Sequence, residues 1–174
     1  MWYIYEFGHS QTISTMALKQ TQKLEKLLEM NTDHDIGFQL NCSYGNAYRM
    51  TGNVTCREVL VAGARKLAQR MNPATGVIRS WDFLRKGWKY PVIIDNMMNL
   101  ELLTVGARLS GDVELGLVAR THADTTMKNH FRPDYTSYHL VNYDPETGEY
   151  LNDETMKVIE DAHNGIGVTH YNSL

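Results

Sequence analysis

The segment VIIDNMMNLELL, residues 92–103, constrains the fold most, because it is apolar on nearly every side for its first two turns and yet holds a carboxylate, Asp95. A helix that is hydrophobic all round belongs in an interior. The expectation is therefore an inner helix with Asp95 embedded in it and other helices to cover it. The chain supplies candidates. ISTMALKQTQKLEKLLEM repeats Ile13, Met16, Ala17, Gln20, Leu24 and Leu27 at helical spacing, with Lys and Glu between them, which predicts a helix with one wet face. FQLNCSYGNAYRMTG sets Leu40, Tyr44, Ala47 and Tyr48 on a shorter, more buried helix that Gly52 stops. Thr55 with Glu58 makes a capping-box pattern ahead of VLVAGARKLAQRM, which Asn72-Pro73 ends.

Beyond Ser110-Gly111 a further helix runs from Asp112 to Arg132-Pro133. VIRSWDFLRK, between Gly76 and Gly87, reads as a loop or short extended piece. YTSYHLVNY alternates in period two toward the turn cluster DPETG, and EYL is the returning strand of a small hairpin. Past Leu151 the apolar pattern is lost, so residues 152–174 read as a poorly ordered tail. Helix pairs stacked side by side are the architecture that fits, and the alternation of wet-faced and buried helices suggests two concentric layers.

A length of 174 residues predicts one core. The net charge of -3 leaves no basic footprint, which argues against nucleic acid or an anionic membrane surface as partner. Cys42 and Cys56 allow one disulfide at most, and reduced thiols are the default. No apolar run approaches the roughly 20 residues of a spanning helix. MWYIYEFGHS lacks the basic start and cleavage site of a signal peptide, so the chain as written is expected to be soluble and to stay where it is made.

Two carboxylates stand out. Asp35, in TDHDIGF, and Asp95 each have apolar neighbours, and a desolvated pair of carboxyls is a way to keep a proton donor at neutral pH. The alternative is that Asp35 caps or closes a loop and Asp95 caps the buried helix. His139 lies on the period-two segment, where it faces either a cleft or solvent. Trp81, in a loop beside Arg79 and Asp82, is either a sugar-stacking wall or a packing residue. Asp33, His34 and Asp35 invite a metal, but adjacent positions seldom point one way and no HExxH or paired-Cys spacing accompanies them, so no metal or other cofactor is expected. The chain has no Gly-rich phosphate loop, no GxSxG and no Cys/His nucleophile pair, which argues against nucleotide and acyl transfer.

Taken in order, MWYIYEF, HDIGFQLNCSYGNAYRMTG, NPATGVIRSWDF, YPVIIDNMMNLELL and THADTTMKNHFRPDYTSYHLVNYDPETGEYL resemble the bacterial unsaturated glucuronyl hydrolases, glycoside hydrolase family 88. The resemblance runs from the first residue to about Leu151. It is closer than that to the unsaturated rhamnogalacturonyl hydrolases, where a different text follows the Asp of IIDNMMN. It implies an all-α fold, a partial (α/α)6 barrel or half ring of helix pairs over residues 1–151 with a small β-hairpin, followed by an atypical tail at 152–174.

The implied activity is removal of a 4,5-unsaturated uronic acid from the non-reducing end of lyase-generated oligosaccharides. In that scheme Asp95 is the general acid/base, Asp35 its partner carboxylate, and His139 and Trp81 contact the sugar. The implied partner is the unsaturated uronic-acid oligosaccharide, with no nucleic acid and no membrane. Family members are about twice as long and carry an RGQAW-type segment that is absent after Leu151, so the chain reads as an internal piece. Its location is expected to be cytoplasmic or periplasmic. Apolar helix faces left uncovered in an open half ring invite self-association, and the rival reading is a non-catalytic remnant that binds sugar weakly or not at all.

Overall fold

The computed structural model describes residues 1–82 and 87–155. Part of the loop predicted before Gly87 and residues 156–174 of the predicted tail lie outside them. Helices α1 (Trp2–Gly8) and α2 (Gln11–Gln22) open the chain, and a 3-10 turn, Glu25–Leu28, follows. The single long helix expected from Ile13 to Met30 therefore ends early. Helices α3 (Ile36–Leu40) and α4 (Asn46–Thr51) are joined without a break by a π-helical stretch, Asn41–Gly45, and Gly52 ends the run at a positive φ of 65°, as predicted. Helix α5 (Val54–Ala68) is capped by Asn53, whose Oδ1 accepts from the N–H groups of Thr55 and Cys56 at 2.9 and 3.3 Å. The Thr55/Glu58 box is not the cap; the asparagine two residues earlier reaches the orphan donors first.

The largest departure lies at residues 92–99. The segment expected to be one inner helix is divided into a strand, β3 (Tyr90–Ile93), a 3-10 turn (Ile94–Asn99) and helix α6 (Leu100–Ser110). The physical reason is local. Pro91 pushes Tyr90 toward extended backbone, and the β-branched run Val92, Ile93, Ile94 favours it. Pro91 is tolerated because β3 is an edge strand, whose partner in the described sheet is β4 (Leu140–Tyr143). Met97 and Met98 consequently reach solvent, at 37% and 56% exposure, whereas Leu102 and Leu103 are fully buried. Asp95 is thus not embedded in an inner helix; it sits at a strand-to-helix junction, and only the α6 half of the segment is interior.

Helix α7 (Val113–His130) starts as predicted, with the Asp112 carboxylate accepting from the Glu114 N–H at 3.2 Å. β4 pairs antiparallel with β5 (Tyr150–Glu154), which confirms the hairpin; the strand continues three residues past Leu151. The sheet has a third strand, β3, and a second small hairpin pairs β1 (Met71–Asn72) with β2 (Val77–Ile78). The main core collects Ile36, Leu40 and Tyr44, then Leu60 and Leu67 of α5, then Leu102 and Leu103 of α6. Each such side chain contributes about 1.5–3 kcal/mol of transfer free energy. Helices α5 and α6 approach closely because Gly106 faces Ala64, where a Cβ on the glycine would collide with the alanine's own. On the outside, Tyr3, Ile4 and Phe7 of α1 and Val113 and Leu117 of α7 are more than half exposed. Among the described residues no helix is long and apolar enough to cross a membrane.

Candidate active site

The site forms where the start of α3 meets the turn between β3 and α6. Gly37 makes the approach possible: a Cβ there would collide with the Asn99 side chain and stand 2.7 Å from its Cα. The Asn99 Oδ1 then accepts from the Phe38 N–H at 2.8 Å, and Asn96, fully buried, donates from Nδ2 to the Ile78 carbonyl at 2.7 Å. These two asparagines fix the turn that carries Asp95. Ser80 ties the other side. Its N–H donates to the Pro91 carbonyl at 3.0 Å, and its Oγ accepts from the Ile93 N–H at 2.9 Å. Its carbonyl accepts from the His34 N–H at 3.0 Å.

Asp35 and Asp95 are brought together, with His34 between them. His34 Nε2 stands 3.3 Å from Asp35 Oδ1 and 3.1 Å from Asp95 Oδ1. The two carboxylate oxygens are therefore no further apart than those distances laid end to end. Neither carboxylate is spent on a cap: Asp35 makes no side-chain capping bond to α3, and none caps the Ile94–Asn99 turn. Their side chains are 33% and 36% exposed, so the deep burial expected from their apolar neighbours is not found, and both face solvent in part.

His34 is the buried member, with a side chain only 6% exposed. Its Nδ1 lies 2.8 Å from the Ser80 carbonyl, an obligate acceptor, so Nδ1 carries a hydrogen. Burial works against the charged ring. The bond to Asp95, the Ser80 carbonyl and the charges of Asp35 and Asp95 outweigh it, and the His34 pKa is raised above 6.5. The Asp35 carboxyl is also raised, chiefly by partial burial, with Asp33 and Asp95 adding repulsion and His34 opposing. Below the site the fully buried His122 accepts from the Ile78 N–H at Nδ1, 2.9 Å; burial first, then the neighbouring His130 and His34, hold it neutral with a pKa near 3.

Of the other predicted site residues, Trp81 is half-buried and places its ring centroid 6.3 Å from that of His34. His139 is half-buried immediately before β4, and its carbonyl accepts from the Ile94 N–H at 2.9 Å, one residue before Asp95. Ser80 was not singled out by pattern, and His34 was weighed only as a metal ligand beside Asp33 and Asp35 and set aside. The signal for His34 was present in TDHDIGF, but adjacency to two aspartates reads first as a metal motif. Asp33, His34 and Asp35 do each offer one donor atom within 4.8 Å of the others, against the expectation that adjacent side chains diverge. One Asp33 oxygen is turned to the Asp35 N–H at 3.0 Å, and His34 Nε2 is already engaged by two carboxylates, an arrangement suited to sharing a proton.

No protein-family model matches the chain. It is similar to proteins named unsaturated glucuronyl hydrolase and unsaturated chondroitin disaccharide hydrolase. The unsaturated glucuronyl hydrolase of Formosa agariphila is 40% identical over 149 residues, 85% of this chain and 37% of the relative. Among solved structures, an unsaturated glucuronyl hydrolase specific for heparin is 46% identical with a TM-score of 0.82, over 87% of this chain and 40% of its own. A Streptococcus agalactiae enzyme of the same name, solved as a mutant complexed with dGlcA-GalNAc6S, is 27% identical with a TM-score of 0.66, over 87% of this chain and 36% of its own. These neighbours are (α/α)6 barrels, and the described residues form part of such a barrel with a small antiparallel sheet. The chain spans about 40% of the length of the proteins it matches.

Proposed function

We propose that this chain carries the proton-transfer end of an unsaturated glucuronyl hydrolase, acting on oligosaccharides that a lyase has left with a 4,5-unsaturated uronic acid at the non-reducing end. The observation that supports it most is the convergence of Asp35 and Asp95, 60 positions apart in the chain, on His34 Nε2, whose ring lies 6.3 Å from that of Trp81. Asp95 is the general acid and base in this reading. It protonates C4 of the vinyl ether, and water adds at C5 as Asp95 accepts its proton. The C5 hemiketal opens to a ketone, which turns C1 into a hemiacetal that expels the remaining sugar. Asp35 holds negative charge beside the oxocarbenium-like centre, Trp81 stacks on a sugar ring, and His139 contacts the sugar from the sheet side.

The relatives' names support the substrate class, heparin for one and a bound dGlcA-GalNAc6S for another. Residues 1–151 are the catalytic unit in this proposal, and the tail from 152 takes no part in it. The uncovered apolar faces of α1 and α7 support self-association of the chain. Hydrolysis of an unsaturated uronyl disaccharide in oxygen-18 water tests the chemistry. Label at C5 of the released keto sugar is expected. Label at C1 is the outcome of ordinary attack at the anomeric carbon, and it would remove Asp95 from the C4-protonating role.

A further inference from the structure

The pairing of two carboxylates with one imidazole nitrogen has a consequence for where the proton of the site resides. His34 Nδ1 is committed as a donor to the Ser80 carbonyl at 2.8 Å, and that carbonyl is itself fixed, since it also accepts from the His34 N–H at 3.0 Å. In neutral imidazole only one nitrogen bears hydrogen, so a neutral His34 presents Nε2 as a bare acceptor. A bare acceptor 3.1 and 3.3 Å from two ionised carboxylate oxygens would be repelled by both. The contact is favourable only when the cluster holds a proton, on Nε2 or on a facing carboxyl.

We propose that His34 is the proton-holding residue of the site, a positioning residue that keeps one proton between Nε2 and the carboxylates and loads it onto Asp95. In the resting state His34 is imidazolium and Asp35 and Asp95 are anionic. Transfer of the Nε2 proton to Asp95 Oδ1 leaves neutral imidazole and a carboxylic acid, with no change in oxidation state. After Asp95 gives that proton to the substrate, the proton released by the attacking water restores it. The groups that face His34 are Asp33 and Asp35 on its own loop, Asp95 from the turn after β3, the neutral His122 from α7, and Arg70, whose guanidinium also reaches the Ser80 carbonyl, at 3.4 Å. The bonds and charges that raise the His34 pKa agree with this assignment. It revises the expectation of two carboxyls keeping a proton donor by themselves: with a cation between them, Asp35 stabilises the charged imidazole.

The proposal deepens the reading of Asp95 as the acid, and its test does not depend on turnover. Nitrogen-15 NMR of the imidazole of the full chain, from pH 5 to 9, reads each ring nitrogen directly. The expected result is Nδ1 protonated throughout, with Nε2 losing its proton at a midpoint above 6.5. Asp95→Asn and Asp35→Asn should each lower that midpoint, and either variant suffices if the other does not fold. A neutral ring with its hydrogen on Nε2 at pH 7, or a midpoint that neither variant moves, would overturn the proposal. On an unsaturated disaccharide, His34→Gln should keep KM within about threefold, lower kcat about 100-fold and shift the alkaline limb of the pH profile. A His34 that titrates as expected in a chain without turnover would reject the hydrolase reading alone.

Discussion

The Asp95 carboxylate stands 3.1 Å from His34 Nε2 although the two residues are 61 positions apart, and neither side chain caps a helix. A carboxylate held by a buried imidazole and partly open to solvent is poised to exchange protons. Asp95→Asn should therefore lower kcat on an unsaturated uronyl disaccharide by about 10²–10⁴-fold, the usual worth of a general acid/base. Because Asp95 is about a third exposed, the variant should unfold within about 1 kcal/mol of the parent in urea. Steady-state kinetics beside denaturant titration separates the two effects.

Gly37 is where packing and site geometry meet. Gly37→Ala forces its Cβ into Asn99, which must shift and carry the Asp95 turn with it. Overpacking of this kind costs about 1–3 kcal/mol, and displacement of the acid by about 1 Å costs around 10²-fold in rate. Urea unfolding and kinetics on the same sample should show both losses.

The sequence pattern located several helices, because Gly52, Asp112 and Arg132-Pro133 punctuate them chemically, but α5 ends at Ala68, ahead of the predicted stop at Asn72-Pro73, and Met71–Asn72 pair with Val77–Ile78 instead. It misplaced residues 92–99, where a continuous apolar run fits a buried strand and a buried helix equally well. Only the pairing of β3 with β4, a long-range contact between Tyr90–Ile93 and Leu140–Tyr143, decides between them. The carboxylates Asp35 and Asp95 were legible as a pair through their neighbours. His34 was not legible as the link between them, because its role depends on the Ser80 carbonyl 46 residues away.

The buried histidines predict an acid limb of stability. His122 and His130 are held at pKa values of about 3 and about 4, first by burial, whereas the unfolded chain protonates both near 6.5. Their folded pKa values are depressed, so their contribution is complete above 6.5 and is lost as pH falls toward 4. The loss amounts to up to about 1.4 kcal/mol per pH unit for each histidine. His34 has the opposite sign: its raised pKa stabilises the fold below 6.5, and that contribution fades as pH rises through the folded value. Urea midpoints measured from pH 4 to 9 should drop on the acid side, and His122→Gln should flatten that drop by about one proton's slope.

Asn53, not Thr55, caps α5. Asn53→Ala should cost about 1 kcal/mol and Thr55→Ala at most a few tenths, measured as the shift in urea midpoint at pH 7. Equal costs would return the cap to the Thr55/Glu58 box.

In the proposed reaction the double bond of an unsaturated uronic acid is consumed with Asp95 as the acid. Ultraviolet absorbance of an unsaturated chondroitin or heparin disaccharide, followed after adding the chain, measures that bond directly. The account predicts a steady loss of absorbance with the parent chain and a rate at least 100-fold lower with Asp95→Asn. A folded parent chain that leaves the absorbance unchanged, or an Asp95→Asn variant that removes it at the parent's rate, would contradict it.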